Sequence, residues 1–167
     1  MAKFTVVGPY EVPVTKRKVG RTISPGNAST FWKTRPALSK SRGCYLFAFR
    51  AAKGMKPVYI GKATKNFAQE VFTDHKRNKY NDALADQARG TPLLFFVALT
   101  KTKGPTNKSA IDEVESHLIQ LGLKANKNLS NDRKTKVPVW SISGIIRSGT
   151  GRPTKSAEAL RGCLKVK

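Results

Sequence analysis

Acidic residues are scarce in this chain. Ten Asp and Glu stand against 32 Lys and Arg, giving a formal net charge of +22 over 167 residues. An excess of that size goes beyond what solubility needs and points to an anionic polymer, nucleic acid first, as partner. Cysteine is rarer still. Cys44 and Cys163 are far apart and belong to no CxxC or Cys/His cluster, which argues against a zinc site and for reduced thiols. Cys44 reads as a small buried hydrophobe. Long apolar runs are missing as well. No segment approaches a membrane span, Met1-Ala2-Lys3-Phe4 lacks a signal-peptide core, and no basic amphipathic helix with Trp or Leu opposite suits a membrane surface. The expectation is an intracellular protein, cytoplasmic or nucleoid-associated, with no membrane partner. No internal repeat is present.

What remains is enough for a core: 39% of the residues are apolar, and the length suits one domain or one domain with an appendage. Charge is distributed unevenly. Residues 1–42 carry nine basic residues and one acid, and residues 132–167 carry nine and two, whereas the longer stretch 43–131 carries fourteen and seven. This divides the chain into a basic β-rich extension (1–42), a core (43–131) and a basic C-terminal extension (132–167). Basic tails that merely aid solubility or nonspecific adhesion are the plainer alternative.

Turn residues between β-prone pairs predict short strands over 4–23. Ser24-Pro25-Gly26-Asn27 reads as a turn, and a brief helix at Phe31-Trp32 closes at Arg35-Pro36. Strands at 43–49 and 58–61, joined by a loop over 51–57, predict a hairpin. The pattern predicts a helix over 66–88 with a break near Tyr80-Asn81. The apolar run 93–99 fits a central strand covered on both faces. After Gly104-Pro105-Thr106-Asn107, a helix over 108–121 is stopped by Gly122. A further strand over 137–146 and a short basic helix over 155–163 follow. The order predicts an α/β (α+β) sandwich: a small mixed or antiparallel sheet flanked by helices.

The helix at 108–121 holds the feature that chemistry must explain. At roughly 100° per residue, Ile111, Val114, Leu118, Ile119 and Leu121 form one stripe, and Glu115 falls inside it. Asp112 lies at its edge and Glu113 opposite. A carboxylate among core residues costs several kcal/mol unless it is paired or bound to a metal. Glu115 is therefore either a structural ion-pair partner or a functional ligand. Two strands each set a tyrosine close to a glycine: Gly43-Cys44-Tyr45 and Tyr59-Ile60-Gly61.

Gly43-Cys44-Tyr45, Tyr59-Ile60-Gly61-Lys62-Ala63, Glu115-Ser116-His117-Leu118-Ile119 and Asn128, in that order, resemble the GIY-YIG endonuclease domain over residues 43–130. The resemblance implies a divalent-metal-dependent phosphodiester hydrolase acting on nucleic acid, DNA rather than RNA, with no small organic cofactor. Tyr45 and Tyr59 would line the site, and Tyr45 is favoured to help deprotonate the attacking water. Glu115 would hold a single Mg²⁺ or Mn²⁺, Asn128 would anchor the site, and Lys62 would assist a tyrosine or contact phosphate. Such chemistry needs positioning, charge neutralisation and an activated water.

One position departs from the family. With Lys65-Asn66-Phe67 set at the start of the first helix, the place of the family's phosphate-binding arginine falls on Glu70. Glu70 is then a second carboxylate ligand, or the partner of a cation such as Lys76 or Arg77 with the arginine's role moved nearby, or the mark of a dead site on a fold kept for binding. That last reading is the alternative function: a catalytically inactive module that binds nucleic acid. A basic RNA-associated protein is a third. His75 is a secondary site candidate whose plainer role is packing, and His117 points to the surface. Asn126 and Asn131 compete with Asn128, which spacing favours. His75-Lys76-Arg77-Asn78-Lys79-Tyr80 interleaves cations with an aromatic and is a candidate phosphate-tracking segment; a solvated helix face is the alternative. In the tail, Arg147, Arg152 and Lys155 are candidate phosphate contacts.

Overall fold

The computed structural model describes residues 2–18, 20–51, 54–86, 90–100, 105–136 and 151–164. They form two units, 1–135 and 136–167. The first is built on a four-stranded sheet of β1 (Phe4–Glu11), β4 (Gly43–Ala51), β5 (Gly54–Ala63) and β6 (Thr91–Leu99) in the order β1-β6-β4-β5, every neighbouring pair antiparallel. β2 (Thr15–Lys16) and β3 (Arg21–Thr22) form a separate two-stranded ribbon. The helices are α1 (Pro25–Lys33), α2 (Pro36–Ser39), α3 (Phe67–Glu70), α4 (Asp74–Asp86) and α5 (Lys108–Ala125), with α6 (Lys155–Leu164) in the second unit. The α+β class expected from the pattern is the one observed, and the sheet is wholly antiparallel. Among the described residues no helix is long and apolar enough to cross a membrane.

Residues 1–42 are part of this unit and no appendage. β1 pairs along β6, and Val12, Ile23, Ala28 and Phe31 are buried in the main core. That makes β6 an interior strand, as its continuous apolar run requires. Ser24-Pro25-Gly26-Asn27 opens a helix where a turn was expected. The Ser24 hydroxyl accepts from the Asn27 N–H (3.2 Å) while the Asn27 side chain accepts from the Ser24 N–H (2.8 Å), a capping box with proline at the first turn. The 51–57 loop is shorter than expected, because β4 and β5 pair out to Ala51 and Gly54.

The helix expected over 66–88 breaks earlier than Tyr80-Asn81. α3 stops at Glu70 and α4 begins at Asp74. Tyr80 explains the difference. Its ring stacks on Phe47 at 4.2 Å between centroids, and its hydroxyl donates to the Val71 carbonyl left open by the break (3.0 Å). Asn81 keeps its helical backbone and uses its side chain to accept from the Ile23 N–H (2.7 Å). Gly122 likewise does not stop α5, which runs to Ala125; a side chain there would meet Ile60 Cδ1 at 2.7 Å. It is a close-packing glycine. The expected strand over 137–146 lies outside the described residues; the helix expected over 155–163 is α6.

The sheet has two apolar faces. Tyr45, Phe47 and Phe49 alternate along β4 onto a face covered by Phe31, Phe67, Phe72 and Tyr80, while Ile60 of β5 meets Ile119 and Leu129 under α5. In the β4–β5 register Tyr45 lies opposite Gly61. A Cβ on Gly61 would stand 2.4 Å from the Tyr45 hydroxyl oxygen, so the glycine of one motif is the seat for the tyrosine of the other. Gly61→Ala is expected to cost about 2–3 kcal/mol through overpacking, read as a lower urea midpoint with an unchanged slope.

Candidate functional site

Glu115 lies within the buried stripe of α5, between Ile111 (0% exposed) and Ile119 (1%). Asn107 starts that helix by accepting from the Ala110 N–H (2.9 Å). The Glu115 side chain retains 12% exposure because it opens onto a cleft of about 490 Å³. The cleft is walled by Tyr59 and Lys62 of β5, His75 and Lys79 of α4, and the returning segment 131–134.

Two lysines compensate the carboxylate. Lys134 Nζ donates to Glu115 Oε2 (2.7 Å), to Asp112 Oδ1 (2.9 Å) and to the Asp112 carbonyl (3.3 Å). Lys62 Nζ pairs with Asp112 and lies 3.6 Å from Glu115 Oε2. Asp112, one turn before Glu115, shares both cations. Hydrogen bonds from Lys62 and Lys134 hold its pKa down to about 2. Partial desolvation works against the charge on Lys134, but the Glu115 and Asp112 carboxylates outweigh it and raise its pKa.

Tyr59 is the phenol of the cleft wall. Lys79 Nζ sits 5.8 Å from its ring centroid and is itself fixed by the Ser130 carbonyl (2.9 Å) and Asp132 (2.7 Å). Desolvation, then the charge of Glu115, raises the Tyr59 pKa. Tyr45 lies behind it, ring centroids 6.3 Å apart, and is fully buried. Its hydroxyl is close enough to Tyr80 and Tyr59 for the three phenols to influence one another, yet no geometric hydrogen bond satisfies it. Burial pushes its pKa well above the ordinary phenol value. Tyr45 therefore does not stand where water is to be deprotonated.

The expected residues thus divide. The structure brings Tyr59, Lys62, His75, Lys79 and Glu115 to one cleft. It leaves Glu70 outside the cleft lining, paired with Lys76 (3.4 Å), whose ammonium also donates to the Glu70 carbonyl (2.8 Å) and lies 5.3 Å from the Tyr45 ring centroid. Of the three readings of Glu70, this is the ion pair. Lys76, expected on a phosphate-tracking face, is folded inward, and burial lowers its pKa. Arg77 is largely buried against Asp74. Arg147 lies outside the described residues, and Arg152 and Lys155 are exposed in the second unit.

Asn128 does not anchor the site. Its side chain is exposed and its N–H donates to Asn126 Oδ1 (3.1 Å). Asn131 is the anchoring amide: Oδ1 accepts from the Ile60 N–H (3.0 Å) and Nδ2 donates to the Ile60 carbonyl (2.7 Å), copying a neighbouring strand along the open edge of β5. Asn126 adds a bond to the Pro57 carbonyl (2.7 Å). Sequence reasoning missed Lys134 and Arg133 as cleft residues; the signal available was the Asn-rich run 126–131, whose amides bring 131–134 back along β5. Family models, curated proteins and solved structures were all compared with the chain, and none matches it.

Asn131→Ala is expected to destabilise the unit by about 1–3 kcal/mol, the cost of two strand-edge groups left unmet, and Asn128→Ala to leave urea unfolding unchanged. Because the folded-state pKa of Asp112 is depressed from 3.8 to about 2, its contribution is present above pH 3.8 and lost as pH falls toward 2. Asp112→Asn should therefore melt below the wild type near neutrality and converge with it at the acid end.

Proposed function

We propose that the 1–135 unit hydrolyses phosphodiester bonds in nucleic acid, DNA more than RNA, as a GIY-YIG-type endonuclease, with the Glu115 cleft as its site. One observation carries this reading: the carboxylate predicted to break the apolar stripe of α5 opens into a basic cleft beside Tyr59 and Lys62. The lining carries Lys62, Lys79, Arg133 and Lys134 against Glu115 and Asp132, so a phosphodiester would enter a cationic surface. The reading goes with an intracellular location, where the two free cysteines stay reduced.

The residues fit one hard divalent ion, not a preloaded cluster. Among the described residues no three His, Cys, Asp or Glu side chains converge, but Mg²⁺ commonly takes one or two carboxylates and completes its shell with phosphate oxygens and water. Glu115 and Asp112 offer that donor set. When bound there, Mg²⁺ or Mn²⁺ would supply charge neutralisation at the scissile phosphate and a more acidic water. Arg133 would pair with phosphate oxygens, and Lys62 would stay beside Asp112. Tyr59, in its ionised form, would orient the attacking water and accept its proton, and His75 at the rim or a water would return a proton to the leaving oxygen. Tyr45, seated on Gly61, would position Tyr59 from behind.

Supercoiled plasmid incubated with Mg²⁺, Mn²⁺ or EDTA tests the proposal. Nicking should need the metal, vanish in Glu115→Gln and fall about 100-fold in Tyr59→Phe. Its rate should climb through the alkaline range, because the phenol whose pKa is raised supplies more base as pH rises. The inward lysine contacts on Glu115 favour a second reading, a noncatalytic binding module. Salt-sensitive plasmid binding with no nicking under any metal condition would establish that one instead.

A further inference from the structure

Lys134 is the one non-glycine residue, among those described, with a backbone in the left-handed region (φ 62°). An L side chain adopts that conformation only where surroundings impose it. Here Gln120 Nε2 donates to the Lys134 carbonyl (2.7 Å), fixing the peptide against α5. The turn delivers the ammonium to the cleft, where it is 30% exposed and rests on Asp112 and Glu115. Its neighbour Arg133 is exposed on the same wall and makes no side-chain ion pair among the described residues.

A simple strap would need one buried carboxylate. Lys134 instead divides its bonds between Glu115 and an Asp112 whose side chain is 49% exposed and already served by Lys62. An exposed ion pair holds its cation weakly, so an entering phosphate can take the ammonium over while Asp112 keeps Lys62. Of the cations on α4, Lys76 is held by Glu70 and Arg77 by Asp74, and neither lines the cleft; Lys79 lines it, but the Ser130 carbonyl and Asp132 together fix its ammonium.

We propose that Lys134, with Arg133 beside it, is the phosphate-binding cation of this cleft, held in reserve on Asp112 and Glu115 until a phosphodiester arrives. The proposal rests on the reading of the cleft as a nucleic-acid site, and it moves the phosphate contact from the first helix to the segment after Asn131. It carries an unusual sign: neutralising a carboxylate that holds the lysine in reserve should tighten binding.

The test is fluorescence anisotropy of a labelled DNA duplex across a salt series in EDTA, where nothing can be cleaved. Lys134→Gln should weaken binding about tenfold and lower the slope of log affinity against log salt by about one. Lys134→Arg should keep the slope. Lys76→Gln should change neither, and Asp112→Asn should bind several-fold more tightly. Melting curves identify any variant that has lost its fold. The gain in Asp112→Asn separates phosphate binding from fastening when it exceeds that of Glu113→Gln, which removes an equal charge from the exposed face of α5 without releasing Lys134; equal gains in the two would overturn the proposal. Equal losses in Lys134→Gln and Lys76→Gln, or an unchanged slope in folded Lys134→Gln, would overturn the proposal even if the plasmid is nicked. The expected binding pattern without nicking would uphold it while the nuclease reading falls.

Discussion

A carboxylate set among apolar residues must be paired, and the pairing of Glu115 organises this molecule. Ile111, Glu115, Ile119 and Gly122 recur along the inner face of α5, and three of them are sealed against β4 and β5. The fourth carries a charge. Its partners come not from α5 but from Lys62 of β5 and, at hydrogen-bond distance, from Lys134, nineteen residues on in sequence. To bring that ammonium back, the chain after α5 must turn at Asn126, run beside β5 and end in a strained left-handed residue. Asn131 pins the run by meeting both backbone groups of Ile60. One misplaced charge thus accounts for the covering of the β5 edge and for the cationic wall opposite Tyr59.

The other constraint is steric. Gly43 and Gly61 bracket the paired strands, and neither tolerates a side chain: a Cβ on Gly43 would meet the Val97 carbonyl at 2.2 Å. Close backbone approach at Gly43 lets β4 lie against β6, and the bare backbone at Gly61 receives the ring of Tyr45. The two tyrosines therefore hold different ranks. Tyr45 is locked between strand and aromatic core, while Tyr59 faces out beneath Lys79. A polar hydroxyl buried without a bond is a standing cost. The Tyr45 hydroxyl bears that cost beside the phenols of Tyr59 and Tyr80, while its ring packs in the aromatic core.

Periodicity made the inward face of Glu115 legible, because 3.6-residue spacing depends only on neighbours along one helix. The strand pair was legible for the same reason. What failed were choices settled between distant segments. Asn126, Asn128 and Asn131 are chemically identical, and which of them meets β5 depends on the path of the chain rather than its spacing. Gly122 reads as a helix stop until Ile60 and Leu129 are seen to crowd it. Ser24-Pro25 carries both turn and cap chemistry, and Asn27 decides for the cap. The helix break at 71–73 is held by Tyr80, whose hydroxyl reaches back nine residues to the Val71 carbonyl. Lys134 sits in a run of cations where nothing local distinguishes it from Arg133 or Lys136.

Charge balance explains why the cleft of so basic a protein is nearly neutral at its centre. Lys62 and Lys134 together match Asp112 and Glu115, so the free protein carries no uncompensated charge in that partly buried place, where it would be costly. Of the other lining cations, Lys79 is checked by Asp132, which leaves the exposed Arg133 as the excess. A balanced centre has little pull on an anion until one arrives close enough to compete for a lysine. Competition then has a directional consequence. Each ammonium drawn toward a phosphate uncovers a carboxylate in the apolar stripe of α5, and an uncovered carboxylate there must find a new cation. On the proposed function, anion and cation binding in this cleft would be coupled by that electrostatic demand, each raising the affinity for the other.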